Sequence, residues 1–390
     1  MKIRFGTKII SCILLLGLVS CGRDAMEDSH FIYFSPTEPY LRIGAVECVI
    51  DQVSGEIRNV EPIPGNMDIT AMPVYFVTNH KHNGVYVNGV AQKSGVTVND
   101  FSTPVTYEVH SEAGVRSYVV TLTNDPACWT QAAVQVKSGT ELVKTIDDEQ
   151  EVWLDSKVRQ SIVDFTTPDS RKLRLCLLEA DMSDGTLDLR TLLPDDGTAW
   201  GLQTIAEQAG ALEVAGTDVL CAINGDTFDA FSGTPDGLVI KESEILNVMD
   251  SRWYIGIRDD GRISIGDSED FFVVEKKITN AIGASKVLIE KGGLVPGIVP
   301  DNTLKSRTAA GMDSFDLKKL YFVVIQSLGQ SEGVTLDELV DCLLALKLGH
   351  AVSLSDGASA SYVSLSEGLL VPVNKNNLQP VANGIALVRK

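Results

Sequence analysis

Three short stretches of this chain set residues that can do chemistry beside residues small enough to let a ligand approach. "INGDTFDAF" leaves an apolar run and at once presents Asn224, Gly225 and Asp226. At a strand end, an amide and a carboxylate can hold a sugar hydroxyl and move a proton; they can equally cap their own turn. Gly225 permits a backbone turn closed to other residues. "KSRTAAG" puts Arg307 ahead of Thr, Ala, Ala and Gly, a frame in which a planar guanidinium can grip phosphate. "SLSDGASASYVS", residues 353–364, surrounds one carboxylate, Asp356, with Gly357, Ser359 and other small residues.

Other chemistries find little support. Of five histidines only His350 lies beyond residue 110, so a Ser-His-Asp or Cys-His centre has one available base and no neighbours that suggest a triad. His80 and His82 form an H-x-H that reads as a solvated loop rather than a metal pair. The seven cysteines are scattered, with no CxxC or Cys/His spacing, and read as buried thiols. No metal and no cofactor is expected. The formal charge of −19, with no basic cluster, argues against nucleic acid as a partner.

These residues need elements to position them. "DVLCAINGD", "KLRLCLLEA", "LYFVVIQS" and "HAVSLS" read as strands, and "RWYIGIRDDGRISIG" as a hairpin around Asp260-Gly261. "TAWGLQTIAEQAGAL" reads as a helix. "TLDELVDCLLALKLGH" is the clearest helix: Thr335 and Glu338 form a capping box, Gly349 stops it, and its apolar stripe is core. Ahead of these, from Phe31 to about Thr123, alternating runs and turn residues predict strands alone, with a hairpin around Glu112-Ala113-Gly114. "NDPACWTQ", residues 124–131, reads as the joint. The expected fold is therefore a small all-β immunoglobulin-like sandwich over 31–125, then an α+β (mixed α/β) domain over 132–390 with a central sheet and packed helices.

The first residues read as a leader. "MKIRFGTK" is basic, "IISCILLLGLVS" is apolar but too short to span a bilayer, and "LVSC" resembles a bacterial lipobox. That resemblance implies a signal peptide over 1–20, lipid on Cys21, a tether over 21–30, and attachment to the bacterial cell envelope through the lipid alone.

Four segments in one order, "CAINGDTF", "SRTAAGMD", "VVI…EGVTLDELVDCLLALKLG" and "SLSDGASASY", followed by "QPVANGIALV", resemble the phosphodiester glycosidase family, whose mammalian member uncovers mannose 6-phosphate. The likeness runs from about Lys172 to Lys390. It implies hydrolysis of a glycosyl phosphodiester or a related glycan bond through an oxocarbenium-like state. Asp226 and Asp356 would be the catalytic carboxylates. Arg307 would sit on phosphate, with Asn224, Gly225, Gly357 and Ser359 binding substrate. The chain departs from the family pattern twice. Ser355 stands where the family loop has Asp, leaving Asp356 one residue late. Gln326 and Ser327 replace the usual Asp-Gly. The departures favour an alternative, a glycan- or anion-binding protein of the same fold without turnover.

Overall fold

A computed structural model describes Ile32–Tyr33 and residues 41–44, 46–78, 84–112, 114–248, 253–313, 317–366, 368–373 and 379–390. The leader, Cys21, His80 and His82 lie outside the described residues. The chain forms two compact units, one of residues up to 60 with 68–122, the other of 61–67 with 123–390.

The first unit is all β. Nine strands pair in one continuous order, 98–99, Met72–Tyr75, Leu41–Ile43, Val46–Ile50, Glu56–Asn59, Gly114–Thr121, Val105–Ser111, Gly84–Val87 and 90–91, rather than as two separate sheets. The hairpin expected around residues 112–114 closes with Ser111 opposite Gly114. Alternation buries Tyr107, Val109, Tyr118 and Val120 on one side. One pairing, Gly114–Thr121 with Glu56–Asn59, is parallel.

The second unit is layered. Its central sheet has eight strands in the order Thr145–Asp155, Val158–Thr166, Lys172–Asp181, Lys319–Ser327, Arg307–Asp313, Leu348–Ser353, Lys286–Glu290 and Gly293–Leu294, all neighbours antiparallel. The twofold side-chain period sorts its residues onto two faces. Leu173, Leu175, Leu177, Val323, Ile325 and Ala309 join one core with helices Gln131–Gly139 and Leu336–Ala345. Cys176, Leu178, Phe322, Val324, Ala310 and Met312 join another with strands of two five-stranded sheets. Strand Asp218–Asn224 is central to the first of those sheets, between Gly384–Arg389 and Tyr362–Ser366. Helix Ile205–Val214 packs on that sheet through Ile205, Ala209 and Leu212. Burying Ile205 and Leu212 contributes about 1.5–3 kcal/mol each.

The expected capping box of Thr335 with Glu338 is present, and the structure adds a second, Thr204 with Glu207, on the helix Ile205–Val214. The stretch 124–131 is no free joint. Asn124–Asp125 pairs in parallel with Ile63–Pro64, and Gly65 N–H donates to Cys128 O at 2.7 Å. Thr130 caps the helix beginning at Gln131 by accepting from Ala133 N at 3.1 Å, and its own hydroxyl donates to Glu149 at 2.9 Å. Cys48, Cys128, Cys176, Cys221 and Cys342 are free and buried; burial pushes the Cys221 thiol up to about 12.

Candidate active site

The predicted residues gather at the ends of four strands, but in two clusters of different character. The first is neutral at its centre. Asn224, last on its strand and fully buried, uses both ends of its amide. Its oxygen accepts from the Thr308 hydroxyl at 2.8 Å and from Ser361 N–H at 2.9 Å; its nitrogen donates to Ser355 O at 2.7 Å. Ser355 N–H returns a bond to Gly225 O at 2.9 Å. Asn224 therefore joins the strand it ends to the 353–361 loop. This corrects its expected role: its hydrogen-bonding capacity is committed to protein, not substrate.

Gly225 is required for closeness, not for a left-handed turn. It is not among the glycines of positive φ. A Cβ there would lie 2.1 Å from Asn383 Oδ1, and Gly225 N–H already donates to Asn383 O at 2.9 Å. Asp226 follows, 1% exposed, with Oδ1 accepting Thr227 N–H at 2.7 Å. Its other oxygen lies against two glycines: a Cβ on Gly237 would come within 2.3 Å of Oδ2, and one on Gly283 within 2.5 Å. A strand, Ile278–Ala284, and the bend leading into its neighbour Val239–Lys241 thus leave out side chains to make a slot for one carboxylate.

The second cluster is ionic. Arg307 is 2% exposed, and the structure overturns its expected role as a free phosphate grip. Its Nε donates to Val334 O at 2.9 Å, its Nη2 to Thr303 O at 2.9 Å and Asp301 O at 3.2 Å, and its Nη1 to Asp356 Oδ2 at 3.3 Å. Asp301 Oδ2 lies 3.1 Å from the same guanidinium. Strand alternation gives the reason. Arg307 and Thr308 are adjacent, so they point to opposite faces. Thr308 shares the face of Ala310 and Met312, toward the facing sheets, and reaches Asn224; Arg307 shares that of Ala309, toward the helices, and reaches Val334.

Asp356 belongs to this ionic cluster, paired with Arg307 and with Lys305 Nζ at 3.0 Å. Its side chain is 30% exposed and that of Lys305 29%. The Thr303 hydroxyl and N–H, with Arg307 and Lys305, hold the Asp301 carboxyl below the usual range against the opposing effect of burial. Burial opposes the charge on Lys305, but Asp356 and Asp301 outweigh it and raise the ammonium pKa. Gly357 takes φ +66°, which favours glycine, and spends its N–H on Ser306 O at 2.7 Å. Ser359 N–H reaches Asp356 O at 3.4 Å, and Ser359 O accepts the Ser361 hydroxyl at 2.9 Å. The N–H groups of Gly357 and Ser359 therefore shape the loop rather than face an anion.

Sequence reasoning did not single out Asn383, Thr308, Ser361, Asp301 or Lys305. Asn383 is 1% exposed, and neither atom of its amide finds a hydrogen-bond partner among the described residues. Its signal was an Asn-Gly ahead of the last apolar run. Gln326, 2% exposed, donates from Nε2 to Ala360 O at 3.3 Å, while its Oε1 has no such partner. Among the described residues no group of three His, Cys, Asp or Glu is placed to hold a metal ion.

Such a strand-end polar cluster between stacked sheets is the setting in which α/β and α+β proteins place their ligands. Residues 217–388, which carry all of these loops, match the phosphodiester glycosidase family. The crystal structure of a hypothetical protein from Synechocystis has the same fold, with a TM-score of 0.53 at 12% identity over 85% of this chain and 92% of that one. The catalytic domain of zebrafish N-acetylglucosamine-1-phosphodiester alpha-N-acetylglucosaminidase, auto-inhibited by its pro-peptide, aligns with a TM-score of 0.48 at 18% identity over 62% and 88%. No curated protein matches the chain.

Proposed function

We propose that this protein is a glycoside hydrolase that cuts a glycosyl phosphodiester or a related glycan bond, held at the bacterial envelope by lipid on Cys21. The observation that carries the reading is the family match over 217–388, the segment whose 224–226 turn, 353–361 loop and Asn383 are tied into one strand-end cluster. In this reading Asp356, the part-exposed carboxylate, meets the substrate as acid or base. Asp226 supplies fixed negative charge to the oxocarbenium-like state from its slot. Lys305 is the part-exposed cation of the cluster and takes over the phosphate contact expected of Arg307. The all-β unit, immunoglobulin-like by its sequence pattern, serves as a spacer from the membrane.

A binding protein of the same fold is the second reading. Gln326 and Ser355, neutral where the family pattern has carboxylates, favour it. Hydrolysis of an aryl glycosyl phosphodiester separates the two: release of free sugar and aryl phosphate, lost in Asp356→Asn, supports the hydrolase, while saturable binding without release supports the binder. Labelled-lipid incorporation lost in Cys21→Ser tests the anchor.

A further inference from the structure

A groove of about 490 Å³ opens in the second unit between the hairpin Thr145–Asp155/Val158–Thr166 and the hairpin Tyr362–Ser366/Leu369–Pro372. That volume lies within the ~300–1,000 Å³ typical of small-molecule sites. Val152, Ile162 and Val371 give it apolar lining, and Gln150, Ser364 and Ser366 bring amide and hydroxyl groups to it.

Its wall is built, not incidental. Across four neighbouring strands, register places Asp148 opposite Asp164, Asp164 opposite Arg174, and Arg174 opposite Gln326. Directly opposed residues share a face, so these four form one polar row. Asp164 clamps the Arg174 guanidinium through both oxygens at 2.6 and 2.7 Å, and Arg174 also donates to Val373 O at 3.2 Å across the groove. The row ends at Gln326, buried, with its Oε1 lacking a hydrogen-bond partner among the described residues. Gln326 in turn holds Ala360 of the site loop. A second link is Tyr362, whose hydroxyl donates to Gln160 Oε1 in the groove at 3.2 Å, one residue after Ser361 bonds Asn224. Strand geometry puts Ser364 about 10 Å from Ser361, so the groove runs out from the candidate site.

The charged groups lining the groove are Asp148, Asp164 and Arg174, a net charge of −1. Phosphate is therefore disfavoured. Apolar lining with acceptors, amides and hydroxyls around it matches a ligand that has apolar ring faces and a belt of hydroxyls. We propose that this groove binds a neutral oligosaccharide, the part of a glycan that lies away from any phosphate. The identification of the site at its inner end rests on the hydrolase reading; the groove binds whether or not a bond is cut.

The test is isothermal titration of the full chain with neutral trisaccharides of N-acetylglucosamine, glucose and mannose, and with a phosphorylated counterpart of each. At least one neutral trisaccharide should bind. Gln150→Ala should weaken it about tenfold, the loss of one or two good hydrogen bonds. Val371→Arg, which fills the groove, should abolish binding. Gln150 is exposed, so its variant keeps the wild-type melt even if Val371→Arg does not. Absence of binding by every neutral trisaccharide overturns the proposal. So does unchanged affinity for that neutral trisaccharide in Gln150→Ala. Hydrolysis of a glycosyl phosphodiester alongside any of those results would leave the hydrolase reading standing without the groove.

Discussion

Replacing Arg307 should damage the fold before it touches any ligand. The guanidinium is 2% exposed and serves three backbone carbonyls, Val334, Asp301 and Thr303, besides the carboxylates of Asp301 and Asp356. Removing one partner of a buried ion pair costs about 3–5 kcal/mol. The two acids are 26% and 30% exposed and re-solvate, which places Arg307→Met toward the lower end, about 3 kcal/mol. Arg307→Lys keeps the charge but loses the fork, about 2 kcal/mol. At roughly 2–4 °C per kcal/mol, the Met variant should melt about 6–12 °C below wild type and the Lys variant about 4–8 °C below. The effect depends on pH. The folded pKa of Asp301 lies below its unfolded value, so its contribution is present above about pH 4 and lost as pH falls through the folded pKa. The gap between wild type and Arg307→Met should therefore narrow on acidification below about pH 4. It should not close, because the carbonyls of Val334, Asp301 and Thr303 lose their guanidinium donor in the variant at every pH. Thermal melts at several pH values make the measurement. An Arg307→Lys protein that melts like wild type at pH 7 but loses affinity for a phosphate-bearing sugar would refute this reasoning and restore the ligand-facing role.

Asn224→Ala removes a fully buried amide with bonds to Thr308, Ser361 and Ser355, and should cost about 3 kcal/mol in denaturant melts. Gly237→Ala drives a methyl group to 2.3 Å from the Asp226 carboxylate; a loss of about 1–3 kcal/mol, with loss of any hydrolysis, is expected from melts and rate assays together. A chain shortened to residues 130–390 loses the strand pair of Ile63–Pro64 with Asn124–Asp125 and the Lys137–Asp125 ion pair at 2.6 Å. Its denaturation midpoint should show a deficit of about 1–3 kcal/mol relative to the full chain.

What the sequence made legible was local. Capping chemistry located the helix that begins after Thr335, because a hydroxyl and a glutamate three residues on satisfy the same backbone donors wherever they occur, and apolar periodicity located the one after Thr204. The apolar runs gave the strands that carry Asn224, Gln326 and the Asp356 loop to one end of the domain. Which way a side chain leaves a strand end was not legible. It depends on which face meets the helices, a property of the packed sheet, and it sent Arg307 away from Thr308 and Asn224. The helix Gln131–Gly139 was missed because turn residues before it read as a joint; its signal was Thr130 as N-cap. Partners more than a hundred residues apart, such as Asn224 with Ser355 and Ser361, leave no local trace.

The central claim is hydrolysis by this strand-end site, and one rate measurement tests it most directly. Release of free sugar and aryl phosphate from an aryl glycosyl phosphodiester should be followed for wild type, Asp226→Asn and Asp356→Asn beside their melting temperatures. Asp356 is part-exposed and its pairs are near the surface, so Asp356→Asn should lose no more than about 1 kcal/mol of stability. The account predicts turnover by wild type and its loss in both variants, with the Asp356→Asn protein still folded. Wild-type protein that binds the sugar but releases no aryl phosphate, or variants that turn over as fast as wild type, would contradict it.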